Sequence, residues 1–155
     1  MGVSGSGKTT IGQLLSQKTG YEFYDADSFH PQKNIDKMKA GHPLNDEDRW
    51  PWLDNMHHFA ATNIRTHNII LTCSALKEAY RQRLSKGIEN QCRWIFLKGS
   101  YEIILERMQQ RKEHYMPASL LQSQFDALEI PKDAIEADIS MQPEAIVEYI
   151  LSKIN

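Results

Sequence analysis

Short apolar runs alternate along the chain with longer segments whose apolar residues recur at helical spacing. Runs rich in aliphatic and aromatic residues at 21–25, 68–73, 93–97 and 136–140 predict strands. The last segment predicts a helix that begins near Pro143. Its buried stripe is predicted to consist of Ile146, Val147, Ile150, Leu151 and Ile154. Strands that alternate with helices in this way predict an α/β fold, in which helices flank a parallel sheet.

A long polar segment, 28–67, separates the first two predicted strands. Its prolines, Pro51 among them, and Gly41 predict several short helices rather than one long helix. Asn45 precedes three acidic residues, which predicts a capped helix start at this position. The chain of 155 residues shows no repeat and no low-complexity linker, so we expect one domain, 1–155.

The chain opens with MGVSGSGKTT, which fits the G-x-x-x-x-G-K-[ST] pattern of a phosphate-binding loop. In such a loop, small residues let successive backbone N–H groups turn inward around phosphates. The Lys8 ammonium would reach the β- and γ-phosphates, and the Thr9 hydroxyl would be a ligand of Mg²⁺. Apolar positions from Ile11 to Leu15 predict a helix directly after the loop, with its positive dipole end toward the anion. The pattern therefore predicts a P-loop NTPase fold that binds a nucleotide.

A phosphate loop normally follows a central strand of the sheet, and here only Met1 precedes the loop. Loss of a central strand would leave backbone groups of its two neighbours unpaired. We therefore expect the natural protein to start upstream of Met1, with a strand that this sequence lacks. An in-frame stop codon directly before Met1 would contradict that hypothesis.

Composition narrows the range of partners. Eighteen Lys and Arg against twenty Asp and Glu leave a formal net charge of −2, which argues against a nucleic-acid partner. The mean hydropathy is −0.54, and no apolar run approaches the ~18 residues of a membrane span. Cys73 and Cys92 lie far apart and indicate free thiols in a reducing cytosol. We expect a cytoplasmic protein that binds small molecules, with neither nucleic acid nor membrane as partner.

Two aspartates, Asp25 and Asp27, stand at the end of the first predicted strand. Their alternate spacing puts both side chains on one face, at the sheet edge where α/β proteins bind ligands. Phosphoryl transfer needs an acceptor hydroxyl aimed at the γ-phosphate and a carboxylate that takes its proton. We expect Asp27 to be that base and Asp25 to hold a water on Mg²⁺. The alternative is that both aspartates only form a turn.

Basic residues in the segment 28–67 supply positive charge close to these aspartates. Arg49 suits an acceptor that carries a carboxylate, because the guanidinium fork matches carboxylate geometry. Lys33 and Lys37, one helical turn apart, fit a solvated helix face at least as well. His30 precedes a proline, so it fits either the acceptor pocket or a turn.

Arginines also mark two later helices. Arg81 would reach substrate or phosphate, or it pairs with Glu78 on its own helix. The preceding strand, 68–73, lacks the aspartate of a Walker B motif, which argues against a motor or switch ATPase. Arg107 and Arg111 repel each other on a bare helix, so a bound anion or a lid that delivers arginine to the phosphoryl group explains their spacing. A solvated helix face is the alternative.

Longer motifs give a resemblance that covers essentially the entire chain. They are GVSGSGKTT, DADSFHPQKNIDKMKAGHPLNDEDRWPWL, CSALKEAYRQRL, FLKGSYEIILERMQQRKEHYMP and LLQSQFDALEIP. Together they resemble the gluconokinase family, small P-loop enzymes that phosphorylate D-gluconate with MgATP. The block from HPQKNIDKM to LNDEDRWPWL is far more specific than the phosphate loop. The resemblance implies an adenylate-kinase-like fold, 6-phosphogluconate as product and a homodimer.

The resemblance also implies roles for individual residues. Lys8, Asp27 and Arg111 would be catalytic, with Asp27 facing the acceptor hydroxyl. The segment 28–67 would bind the acceptor, and 107–118 would be approximately the lid. The residues that would contact gluconate are Asp27, His30, Arg49 and Arg81. The residues that would bind ATP are Gly5, Ser6, Gly7, Lys8, Thr9, Thr10 and Arg107.

Two features depart from the family pattern. The family has an apolar strand before the phosphate loop, and Glu113 stands where members often have glycine, which would stiffen or recharge the lid. Two other interpretations are open at this point. One is a shikimate- or nucleoside-type kinase, and the other is a non-catalytic nucleotide-binding or dimerisation module.

Overall fold

The computed structural model describes residues 1–40, 42–110 and 118–154, except for the side chains of 118 and 119. Its strands are β1 (Glu22–Asp25), β2 (Ile69–Thr72), β3 (Ile95–Lys98) and β4 (Ile135–Asp138). Its α-helices are α1 (Lys8–Thr19), α2 (Gln32–Lys39), α3 (Asp46–Asn63), α4 (Glu78–Ser85), α5 (Tyr101–Gln109), α6 (Ala118–Ala127) and α7 (Pro143–Ile154). A 3₁₀ turn, Ala26–Phe29, follows β1 directly. The alternation of strands and helices confirms the predicted α/β class.

The strands form two parallel pairs. β1 pairs with β2, so that Asp25 lies opposite Thr72, and β3 pairs with β4, so that Lys98 lies opposite Asp138. All four predicted strands are confirmed, with ends that differ by at most two residues. Because the pairing is parallel, the carboxyl ends of the paired strands meet at one edge, where ligands bind in open α/β sheets.

Met1 and Gly2 connect the two strand pairs. The Met1 amino group donates to the Ile95 carbonyl of β3, and the Leu97 N–H donates to the Met1 carbonyl at 3.0 Å. On the other side, the Gly2 N–H donates to the carbonyl of Ser74, just after β2, at 3.3 Å. The phosphate loop therefore begins between β2 and β3, where a central strand of the sheet would lie. Among the described residues, no strand precedes the loop.

Helix α1 lies close against the β1–β2 pair because Gly12 has no side chain. A Cβ atom on Gly12 would lie 2.5 Å from a ring carbon of Phe23 and 2.8 Å from the Thr72 methyl group. On its other side α1 packs against α7, whose residues Ile146, Val147 and Ile150 are buried as predicted. Ile154 of the predicted stripe is 40% exposed, because α7 ends there. None of the described helices is both long and apolar enough to cross a membrane.

The segment 28–67 contains one long helix, which corrects the prediction of short helices only. Helix α3 has 18 residues and includes Pro51 in its second turn. A proline there removes one backbone hydrogen bond. The helix continues because Asn45 and Asp48 form a complete capping box and because its inner face is buried. The buried residues are Trp52, Leu53 and Met56. The predicted cap at Asn45 is confirmed.

Candidate active site

The phosphate loop is open in front of helix α1. Gly7 caps the helix with φ 93°, a left-handed conformation that favours glycine, and a Cβ atom there would meet nothing within 4 Å. The helix N-terminus therefore faces free space, as an anion site requires. Lys8 folds back over the loop, where its ammonium donates to the carbonyls of Gly2 and Val3 at 3.0 Å each.

The other predicted loop residues surround this opening. Gly5 packs against Met108 of α5. Ser6 is buried, its N–H donates to the Val3 carbonyl at 3.3 Å, and its hydroxyl has no hydrogen-bond partner among the described residues. Thr9 and Thr10, in the first turn of α1, are exposed.

Thr9 and Asp25, the two predicted metal ligands, are in contact. The Thr9 hydroxyl donates to Asp25 Oδ2 at 3.2 Å, and Asp25 Oδ1 accepts the Asp27 N–H at 3.1 Å. Oxygen atoms of this kind fit Mg²⁺, which takes few protein ligands and keeps waters and phosphate oxygens. Within the described part of the chain, no cluster of three or more His, Cys, Asp or Glu residues is arranged to hold a metal. The pair would therefore bind Mg²⁺ together with a nucleotide rather than alone.

Asp27 and His30 lie on the turn that follows β1. The Asp27 side chain is exposed, at the same edge of the sheet as the phosphate loop. The His30 ring stacks on Trp52 with 4.3 Å between ring centroids and 11° between planes. Trp52 in turn donates to the Ala26 carbonyl at 2.8 Å. Burial lowers the pKa of His30, while the field of Asp27 opposes this shift and that of Arg49 adds to it.

Asn34 was not identified from the sequence, yet it is fully buried under this turn. Its Nδ2 atom donates to the Asp48 carbonyl at 2.8 Å and lies 3.4 Å from His30 Nδ1. Its Oδ1 atom is buried and has no partner among the described residues. A buried acceptor without a hydrogen bond costs about 1–3 kcal/mol of stability. Packing alone would therefore favour an apolar side chain at position 34 over an amide.

Arg49 belongs to a charged network that joins α3 to α4. Its guanidinium donates to the Tyr80 hydroxyl at 3.3 Å and lies 3.6 Å from Asp46. Asp46 also accepts from Lys77 at 3.0 Å and from the Tyr80 hydroxyl. The hydrogen bond from Tyr80, followed by that from Lys77, holds the pKa of Asp46 below its usual range. Tyr80 and Asp46 were not predicted as site residues, because more than thirty residues separate them in sequence.

Arg81 lies apart from this network and is only 4% exposed at its side chain. Its guanidinium donates to Glu78 and to the carbonyls of Ala75 and Leu76. This arrangement favours the ion pair with Glu78, the alternative that the sequence left open. Nearby Cys73 is buried, and burial raises its pKa to about 11, so its thiol is protonated at neutral pH.

Two side chains from α5 and α6 contact backbone groups at this edge of the sheet. Arg107 is half-buried and donates to the carbonyl of Ile139, immediately after β4. Gln124 of α6, which sequence reasoning missed, accepts the Ser4 N–H of the phosphate loop at 2.7 Å. Arg111 and Glu113 lie outside the described residues. Of the two predicted lid arginines, the structure therefore locates only Arg107.

Comparisons with known proteins agree with this architecture. The shikimate kinase family model matches residues 4–155. A probable gluconokinase of Xenopus tropicalis is 41% identical over 169 residues, which cover 99% of this chain and 88% of that protein. The thermosensitive gluconokinase of Escherichia coli (strain K12) is 48% identical over 140 residues, covering 90% of this chain and 74% of that protein.

A solved structure gives the same result. The crystal structure of a gluconokinase from Sinorhizobium meliloti 1021 superposes with a TM-score of 0.88 at 39% sequence identity, covering 98% of this chain and 87% of that one. The broad family is that of shikimate kinase, and the relatives of high identity within it are gluconokinases. The chain belongs to the gluconokinase family of P-loop kinases.

Proposed function

We propose that this protein phosphorylates D-gluconate with ATP and releases 6-phosphogluconate and ADP. The observation that carries the proposal is the Thr9–Asp25 hydrogen bond of 3.2 Å, which joins the phosphate loop to the end of β1. It supports a role for Asp27, two residues further on, beside the place where the loop and α1 would hold the γ-phosphate. Membership in the gluconokinase family supports gluconate as the acceptor.

The reaction is an in-line transfer. The acceptor hydroxyl oxygen would attack the γ-phosphorus, the bond from that phosphorus to the β–γ bridging oxygen would break, and Asp27 would take the hydroxyl proton. Lys8 would move from the loop carbonyls to the β- and γ-phosphates and stabilise their charge. When bound, Mg²⁺ neutralises charge on the phosphate oxygens, and Thr9 together with Asp25 would hold it, Asp25 through a water.

Recognition of gluconate would fall to the segment 28–67. Arg49 would bind the gluconate carboxylate, because its guanidinium is held in one place by Tyr80 and Asp46. His30 would contact a hydroxyl of the sugar acid. For Arg81, contact with the substrate would require its bonds to Glu78, Ala75 and Leu76 to break, so we give it a supporting role in α4.

The remaining assignments extend from the same site. Residues Gly5, Ser6, Gly7 and Thr10 would bind the ATP phosphates through the loop, and Arg107 would lie on the nucleotide side. Arg111 would deliver charge to the transferring phosphoryl group from the lid. The homodimer implied by the family resemblance and the cytoplasmic location indicated by the free thiols are further predictions, which sedimentation analysis and cell fractionation would test.

The test is ADP release from MgATP with each of several acceptors. Gluconate should stimulate release strongly, whereas shikimate, nucleosides and other sugar acids should not. Asp27→Asn should lower the gluconate-dependent rate by about 100-fold. This is the low end of the range for loss of a general base, because proton transfer contributes little to phosphoryl transfer. Equal stimulation by shikimate would favour the shikimate-type kinase, and nucleotide binding without stimulation by any acceptor would favour a non-catalytic module.

A further inference from the structure

The buried amide of Asn34 can adopt only one orientation. Its nitrogen lies 2.8 Å from the Asp48 carbonyl, and a carbonyl oxygen can only accept a hydrogen bond. If the amide were turned over, two acceptor oxygens would face each other in a buried place. The nitrogen therefore faces Asp48. It also lies 3.4 Å from His30 Nδ1, so its second hydrogen is available to this ring nitrogen.

This orientation determines which ring nitrogen of His30 carries the proton. Nδ1 faces a donor, so it must be the unprotonated acceptor of the ring. A neutral imidazole then carries its hydrogen on Nε2, on the opposite side of the ring. The hydrogen bonds of the Asn34 side-chain nitrogen thus explain why an asparagine stands at this position, although its oxygen has no partner within the part of the chain that the structure describes.

The His30 ring is also fixed in space. It lies flat on Trp52, and Trp52 is bonded to the carbonyl of Ala26, the residue between Asp25 and Asp27. The charged groups whose fields reach the ring are Asp27 and Arg49. The ring therefore belongs to the group formed by the proposed base and the proposed carboxylate-binding residue.

We propose that Asn34 is a positioning residue that holds His30 as the Nε2–H tautomer, so that His30 donates a hydrogen bond to a hydroxyl of the acceptor. The inference rests on the proposed function for the identity of that acceptor, a polyhydroxylated sugar acid. It also assigns the proton transfer. A His30 ring that receives a donor at Nδ1 and carries a proton at Nε2 cannot take the proton of the acceptor hydroxyl, which leaves this task to Asp27.

The tautomer can be read directly from ring ¹⁵N–¹H correlation spectra of the labelled protein. The measurement is made at about pH 8, above the ordinary pKa of histidine near 6.5, and burial lowers the pKa of His30 further, so that the His30 ring is neutral. His57 provides an internal reference, because its Nδ1 lies 3.0 Å from the Leu84 carbonyl and must donate to it. We expect His30 to show Nε2–H and His57 to show Nδ1–H, and a His30 proton on Nδ1 would overturn the inference.

Asn34→Asp tests the cause. A carboxylate at position 34 only accepts, so it should move the His30 proton to Nδ1 and leave His57 unchanged. An unchanged His30 tautomer in a folded Asn34→Asp variant would show that Asn34 does not set it, against the inference. Should the variant not fold, the wild-type spectrum still decides the tautomer.

Two substitutions of His30 test what the donor does. The amide nitrogen of glutamine reaches the position of Nε2, and that of asparagine reaches only the position of Nδ1. We expect the KM for gluconate of His30→Gln to stay within about threefold of the wild-type value. His30→Asn should raise this KM by about tenfold, because it loses one hydrogen bond to a hydroxyl of the substrate. The reverse order would overturn the inference.

These readouts separate the inference from the proposed function. The wild-type spectrum needs no substrate, so a wrong tautomer overturns the role of Asn34 even if gluconate is phosphorylated. Failure of gluconate to stimulate ADP release overturns the proposed function, whatever the spectrum shows.

Discussion

The phosphate loop and the segment 28–67 reach the same edge of the sheet, but they are built differently. The loop presents the start of α1 and backbone groups of neighbouring residues, and its shape depends on left-handed glycines such as Gly7. The segment 28–67 presents side chains, and each is held by a residue from another element. Trp52 supports His30, and Tyr80 supports Arg49.

This difference indicates how each region responds to substitution. In the loop, we expect the main chain to supply most contacts with the phosphates. Lys8 is the exception, because its side chain is charged, so its substitution should cause the largest loss of activity in the loop. In the segment 28–67, substitution of a residue that contacts the substrate and substitution of the residue that holds it in place should both weaken binding of the acceptor. The loop should therefore control turnover, and the segment 28–67 should control affinity for the acceptor.

Lys8→Ala should have the largest effect. Removal of the ammonium leaves the charge of the transferring phosphoryl group uncompensated, and we expect kcat to fall by about 1,000-fold. Thermal unfolding of the variant is measured in parallel, so that a loss of catalysis is distinguished from a loss of folding. Initial-rate kinetics with saturating gluconate and ATP measure the effect. A loss confined to KM for gluconate would place Lys8 on the acceptor side and remove the contrast between the two regions.

Arg49→Ala should weaken gluconate and spare ATP. Loss of a charge-assisted bond to a carboxylate costs about 1.5–3 kcal/mol, which raises KM for gluconate by about 10- to 100-fold. Arg49→Lys is the matched control, since it keeps the charge but loses the fork, and it should recover only part of the affinity. A comparable rise in KM for ATP in Arg49→Ala would refute the assignment.

Local patterns account for what the sequence could predict. Helix α1 and the capped helix start at Asn45 depend on neighbouring residues, and both were predicted correctly. The meeting of Thr9 with Asp25 was also expected, because parallel strands bring their carboxyl ends to one edge. The sequence could therefore predict the fold, while the nucleotide-binding roles of the loop residues stay predictions.

Contacts between distant elements account for what it could not predict. Asn34 and Tyr80 carry no charge, and nothing in their local pattern marks their partners, Asp48 and Arg49. Pro51 was expected to contribute to a division of this segment into short helices, but burial of the α3 face and the cap offset one lost hydrogen bond. These outcomes depend on packing and therefore appear only in the three-dimensional structure.

Tyr80→Phe should show that the acceptor side relies on indirect support. The change removes one hydroxyl, which accepts from Arg49 and donates to Asp46, and leaves the ring in place. A hydrogen bond to a charged group contributes about 1.5–3 kcal/mol, but the substrate senses only the part that acts through the position of Arg49. We therefore expect KM for gluconate to rise by about three- to tenfold with kcat unchanged. In the Arg49→Ala background the same change should have almost no further effect on this KM. Additive losses would mean that Tyr80 does not act through Arg49.

Gln124→Ala should give the smallest effect and tests whether the loop also needs a side chain from elsewhere. Gln124 accepts the Ser4 N–H at 2.7 Å, so its loss should lower the free energy of unfolding by about 1 kcal/mol. Gln122→Ala is the control, because Gln122 bonds only to the exposed Asp126 on the same helix in the contacts described here. Denaturant unfolding of the two variants measures the difference. If both lose the same stability, the Ser4 contact contributes nothing specific, and the loop is held by its own backbone, by Lys8 and by its packing on α5.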